Sequence, residues 1–171
     1  MPEAKALRLL DRMARAGVGV VSLPLTNGFL LDRGRGRTPR RRGLTLVQEM
    51  RARAIPLAFA SDNVQDPFHP HGNFDMLEVL RRATQAAQLE DDPSEWLGAV
   101  AADAAAVLGP RVAPAHAGRI RAGAPADLVI LDARGWIDLH ARAHENRKVL
   151  RAGRPLAPLR EPAFARALEA T

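Results

Sequence analysis

Ile55-Pro56-Leu57-Ala58-Phe59-Ala60-Ser61-Asp62-Asn63-Val64-Gln65-Asp66-Pro67-Phe68-His69-Pro70-His71-Gly72 opens as a short apolar run and stops at a carboxylate. An apolar run of this length, bounded by breakers, reads as a strand buried on both faces. A carboxylate at the carboxyl end of such a strand sits where barrel and open-sheet α/β enzymes place their chemistry. Taken alone, Asp62 reads more readily as a turn residue whose side chain caps its own backbone than as a ligand.

The flanking sequence supports an α/β reading. Glu3 to Ala16 has apolar residues at three- and four-residue spacing (Leu7, Leu10, Met13, Ala14) and Gly17 as its stop, which predicts a helix. Val18 to Leu23 reads as a strand cut by Pro24, with Thr26 and Asn27 leaving its carboxyl end. Thr45 and Gln48 have the spacing of a capping box for a short helix carrying Leu46, Val47, Met50 and Ala54. Asp75 and Glu78 repeat that spacing ahead of the stripe Met76, Val79, Leu80, Ala83 and Ala87. Asp92-Pro93-Ser94-Glu95 starts a further helix running to Gly109-Pro110. Helix, strand, helix, strand, helix, helix is the rhythm of a parallel sheet with covering helices. Beyond Pro114 the chain turns to Gly/Pro-rich segments and short strands, Leu128–Asp132 and Arg147–Arg151. A peripheral helix is expected over Pro162–Glu169.

Composition narrows the class. With 47% hydrophobic and 26% charged residues the 171-residue chain has globular values and enough length for a core. The absence of cysteine excludes disulfides and thiolate-ligated zinc. The amino terminus lacks a signal-peptide core, and no apolar run approaches the ~20 residues of a membrane span. A cytoplasmic protein without membrane contact is the default expectation. The net charge of +6 is carried by arginine, the two lysines being Lys5 and Lys148. The cluster Arg33–Arg42 offers charge for phosphate but no interleaved aromatics for base stacking, so nucleic acid is disfavoured as a partner.

Several motifs together resemble the amidohydrolase superfamily, and within it the bacterial cytosine deaminases. The run Gly118, Ile120, Gly123, Ala126, Asp127, Leu128, Val129, Ile130, Leu131 is similar to that superfamily's return into its small β-sandwich domain. Pro24-Leu25-Thr26-Asn27, Arg41-Arg42-Gly43-Leu44-Thr45, Glu49-Met50, Ser61-Asp62-Asn63-Val64, Asp66-Pro67-Phe68 and Met76-Leu77 follow the cytosine deaminase pattern in order. The resemblance implies the last part of a (β/α)₈ TIM-type barrel, incomplete as a domain. Val18–Leu23 would be its seventh strand and Ile55–Ala60 its eighth. Residues 1–113 would form the barrel portion, 114–158 the strands of the small β-sandwich, and 159–171 a tail.

The implied chemistry is hydrolysis of a C–N bond other than a peptide bond, at an exocyclic amine or cyclic amide of a pyrimidine or related heterocycle. Asp62 would be both metal ligand and catalytic proton carrier. The cofactor would be one divalent metal, zinc or iron, which lowers the pKa of bound water toward ~7 so that a neighbouring carboxylate can take the proton. Asn63 and Phe68 would bind substrate, Asn63 by reading a heterocycle edge and Phe68 by covering the ring. Asn63 departs from the family, which carries a second acid there. The family's remaining metal ligands have no counterpart: the five histidines, His69, His71, His116, His140 and His144, all follow the first strand. His69 and His71 read as loop or surface residues. The expectation is therefore a chain inactive alone, whose partners are a missing amino-terminal half or further copies of itself, besides the small heterocyclic substrate. The alternative is a non-catalytic interaction module, binding nucleic acid through Arg33–Arg42.

Overall fold

A computed structural model describes residues 1–90, 93–113 and 115–157. Helix α1 (Glu3–Arg15) leads to strand β1 (Val20–Ser22), helices α2 (Pro24–Leu30) and α3 (Val47–Arg51), and strand β2 (Leu57–Phe59). Helix α4 (Met76–Ala87), a 3₁₀ helix (Pro93–Val100) and helix α5 (Ala102–Leu108) follow. The last segment is strand β3 (Leu128–Leu131), helix α6 (Trp136–Ala141) and strands β4 (Arg147–Arg151) and β5 (Arg154–Pro155).

The first two strands pair in parallel, with Val20 opposite Leu57, Val21 opposite Ala58 and Ser22 opposite Phe59. All three residues of β2 are buried, as a continuous apolar run requires, whereas Val21 of β1 stays exposed. Around β2 gather Leu10 of α1, Val47 and Met50 of α3, Val79, Leu80 and Ala83 of α4, and Trp96. The rings of Phe59 and Trp96 stack with centroids 6.1 Å apart, and the Arg51 guanidinium lies 4.6 Å above the Trp96 ring. With few aromatics available, this cluster joins the sheet to its helices.

The second sheet is antiparallel, in the order β3-β4-β5. Its final turn places Ala152 and Gly153 at positive φ, and the Asp127 carboxylate accepts the Ala152 N–H at 2.7 Å. Asp127 thus holds a turn, the structural role its position suggests. Two contacts tie this segment to α4: Arg147 donates to both carboxylate oxygens of Asp75, and Arg81 donates to the His140 carbonyl at 3.1 Å. His144, fully buried, spans from the Asp132 carboxylate to the Asp138 carbonyl.

Some local expectations differ from the structure. Thr45 and Gln48 do not form a capping box. Helix α3 starts after Leu46 with no side-chain cap, and Gln48 donates instead to the carbonyls of Ala87 and Gln88 at the end of α4. Pro24 does not end in a loop but starts α2, because proline's fixed φ suits the first helical position. The segment after Pro93 is two helices, not one: Ala101 sits at φ −137° and ψ −99°, and its N–H turns back to the Gly98 carbonyl. Helix α6 lies where no helix was expected. Asp75 does cap α4, accepting the Leu77 N–H, while Glu78 takes Asn73, which in turn accepts the Asp75 N–H. Asp92 and the Pro162–Glu169 helix lie outside the described residues.

Candidate functional site

Parallel pairing carries both strands to one end of the sheet, where the Ala60 N–H still bonds the Ser22 carbonyl. Two residues later the backbone reverses: Asp62 adopts φ +64°, a left-handed conformation tolerated by Asp but uncommon outside glycine. Asp62 is exposed and has no hydrogen-bond or ion-pair partner among the described residues. Its charge is therefore free to meet a cation or a proton.

Behind Asp62 the loop is pinned from the protein side. Thr26, buried in α2, donates its hydroxyl to the Ser61 carbonyl at 3.0 Å. His69 is buried, with Nδ1 3.2 Å from the Asn63 carbonyl and 3.4 Å from Thr26 Oγ1. Phe29 of α2 packs on the His69 ring at 5.1 Å and edge-on to His71 at 6.0 Å, and Arg33 lies 4.5 Å above Phe29. The Asp66 carboxylate organises the bend, accepting the backbone N–H groups of Phe68 and His69 and the side-chain amide of Asn63. The His69 N–H, then the Asn63 amide, hold Asp66 below the ordinary carboxylate range, against the opposing effect of desolvation.

The structure thus gathers Asp62, Asn63 and Phe68 on one loop, though Phe68 is 61% exposed. The Asn63 side-chain nitrogen must be the atom facing Asp66, a pure acceptor, so its side-chain Oδ1 is available to a ligand. A small, open cleft lies at the same sheet end, lined by Ser22, Pro24, Asn27, Leu44, Thr45 and Phe59 among others; Asp62, Asn63 and Phe68 are not in its wall. Among the described residues no group of three or more His, Cys, Asp or Glu side chains is arranged to hold a metal ion. Asp62 fits a divalent cation as one oxygen donor, not as a complete set.

Two residues escaped the sequence reading. His69, expected as a loop or surface residue, lies in the loop but is buried there, and Thr26 turns out to support the loop. The signal for both was weak, since their contacts join positions 43 residues apart. The arginine loop is built around Asp32, whose carboxylate accepts from Arg37 and from the backbone N–H groups of Arg40 and Arg41. Those bonds, Arg37's first, push the Asp32 carboxyl far below its usual range.

Comparison with known proteins places these features in a wider setting. The model of the amidohydrolase family matches residues 1–157. A pterin deaminase of Rhizobium rhizogenes is 41% identical over 153 residues, 89% of this chain. The chain spans about a third, 34%, of that relative's length. The crystal structure of 5-methylcytosine deaminase from Klebsiella pneumoniae liganded with 5-fluorocytosine superposes with a TM-score of 0.74 at 29% identity, covering 95% of this chain and 40% of that one. The same enzyme liganded with phosphonocytosine gives 0.75 at 27% identity, over 94% and 40%.

Proposed function

The chain belongs to the amidohydrolase family, and from that premise we propose that it is the carboxyl-terminal portion of a metal-dependent deaminase, releasing ammonia from a nitrogen heterocycle. The observation that carries this reading is the turn at Asp62. A free carboxylate in a left-handed conformation stands at the carboxyl end of a parallel strand pair, in a chain 41% identical to a pterin deaminase. The last two strands of a (β/α)₈ barrel would be β1 and β2, residues 1–113 the barrel portion, and residues 114–158 part of the small β domain.

A divalent metal, zinc or iron, would supply Lewis acidity that makes water nucleophilic near neutral pH. One Asp62 oxygen would face that cation, and the other would hold a proton taken from water and return it to the departing amine. The side-chain oxygen of Asn63 would accept from a ring or exocyclic N–H. Phe68, exposed at the loop's outer edge, would lie over a flat ring. Pterin- and pyrimidine-type substrates share that flat, amino-substituted edge. The remaining ligands would come from the portion of the barrel that the longer relatives carry.

The test is ammonia release from pterins and aminopyrimidines with zinc or iron(II) supplied. The chain is assayed alone and after combination with the amino-terminal portion of a related deaminase. Activity is expected in the combination only, and Asp62→Asn should lower it on the order of 10²–10⁴-fold, the usual contribution of a positioned acid–base group. A fully active Asp62→Asn protein would defeat the assignment.

A further inference from the structure

We infer that Thr26 and His69 are positioning residues, a two-point clamp that fixes the turn on which Asp62 sits; the inference rests on Asp62 being the reacting carboxylate. The two pinned carbonyls, those of Ser61 and Asn63, belong to the residues immediately before and after Asp62. Thr26 has one hydroxyl proton, and it goes to the Ser61 carbonyl. Thr26 Oγ1 therefore faces His69 as an acceptor, and so does the Asn63 carbonyl. Both neighbours of His69 Nδ1 being acceptors, the proton of the neutral ring is on Nδ1, and Nε2 keeps its lone pair. One imidazole tautomer is thus written into the loop.

The surroundings hold the clamp in register. Thr26 is 1% exposed and His69 5%, so both clamping side chains are shielded from water. Asp66 draws the His69 backbone into place through its N–H, and Phe29 covers the ring. The loop then closes over the clamp at Gly72, whose N–H bonds the His69 carbonyl at 3.1 Å. A β-carbon at Gly72 would collide with the Asn63 carbonyl and stand 2.9 Å from His69 Nδ1, so only glycine lets the chain pass this close. Displacing a reacting group by about 1 Å can cost on the order of 100-fold in rate, which is what such a clamp protects against.

The test begins with the solid-state ¹⁵N spectrum of the histidine-labelled chain, which reads tautomers whether or not the protein self-associates. The His69 resonances, assigned by their loss in His69→Asn, should show protonated Nδ1 and bare Nε2. The ¹³C shifts of Asp62, which report its backbone conformation, should move in Thr26→Val and His69→Leu. They should return in His69→Asn, whose amide N–H takes the place of Nδ1–H. In the reconstituted deaminase, His69→Leu should lower kcat on the order of 100-fold with little change in KM, and His69→Asn should recover most of it. An Nε2–H tautomer in the unmodified chain overturns the clamp without need of any variant. So do unmoved Asp62 shifts in both Thr26→Val and His69→Leu. Failure of the Asp62 reading looks different: an active Asp62→Asn enzyme in which the His69 signature persists.

Discussion

Arg147 and Asp75 meet across 72 residues of sequence, with guanidinium nitrogens 3.0 and 2.8 Å from the two carboxylate oxygens. Asp75 also caps α4 at the exit of the site loop, so this pair links the small antiparallel sheet to the loop's far end. Arg147's hydrogen bonds are the main cause of a lowered Asp75 pKa, opposed by desolvation. A lowered folded-state pKa contributes stability above the unfolded value of about 3.9, and that stability is lost as pH falls through the folded value. With the two side chains 28% and 29% exposed, the pair lies between surface and core. Arg147→Met should therefore cost about 1–2 kcal/mol at neutral pH. The gap to the unmodified protein should narrow only below about pH 4, as urea unfolding across a pH series would show; a gap unchanged down to acid pH would refute the pairing. The helix-capping role of Asp75 was legible, because an acid three residues before Glu78 is a local signal. Its arginine partner was not, since nothing local in a strand residue says which distant carboxylate it meets.

At the scale of elements, regularity of pattern decided what could be read. The run Leu57-Ala58-Phe59 announced a strand buried on both faces, and the four-residue stripe of Val79, Leu80 and Ala83 announced the inward face of α4. The Asp62 turn was placed correctly because an apolar run ending in a carboxylate marks its own boundary. Helix α2 was hidden because proline both stops strands and starts helices. The clamp residues Thr26 and His69 were hidden because burial of a loop histidine depends on α2 arriving above it. Gln48 shows the same competition between local and distant partners: its amide lies 2.7 Å from the Ala87 carbonyl, satisfying a helix end that lacks an intrahelical donor. Gln48→Ala should destabilise the protein by about 0.5–1.5 kcal/mol, the net worth of such a bond. It should also speed amide exchange in the last turn of α4 while leaving the Asp75 end protected. Equal exchange at both ends would show that the contact does not hold the helix terminus.

For the molecule as a whole the decisive quantity is uncovered apolar surface. The β1–β2 sheet has two strands, each with one edge unpaired among the described residues. A two-stranded sheet is marginal in water, and open edges recruit further strands. Near that sheet Val21 is 48% exposed, and the loops beyond its carboxyl end leave Leu44, Phe68 and Phe74 at 43%, 61% and 83%. The apolar cluster gathers around β2, whereas Val21 of β1 is left exposed among the described residues. Basic charge opposes association but does not cover apolar area. At ~25 cal/mol per Å², hiding even a few hundred Å² of such surface contributes several kcal/mol, enough to overcome modest like-charge repulsion in physiological salt. The chain alone should therefore self-associate in sedimentation velocity, with a weight-average mass that rises with concentration. Added salt should raise it further by screening the positive charge. Addition of the amino-terminal portion of a related deaminase should convert these species to a one-to-one complex, because barrel strands would pair with both edges at once. A compact monomer of 18.5 kDa at all concentrations, indifferent to that partner, would show that the exposed face needs no cover and that this chain is a self-sufficient domain.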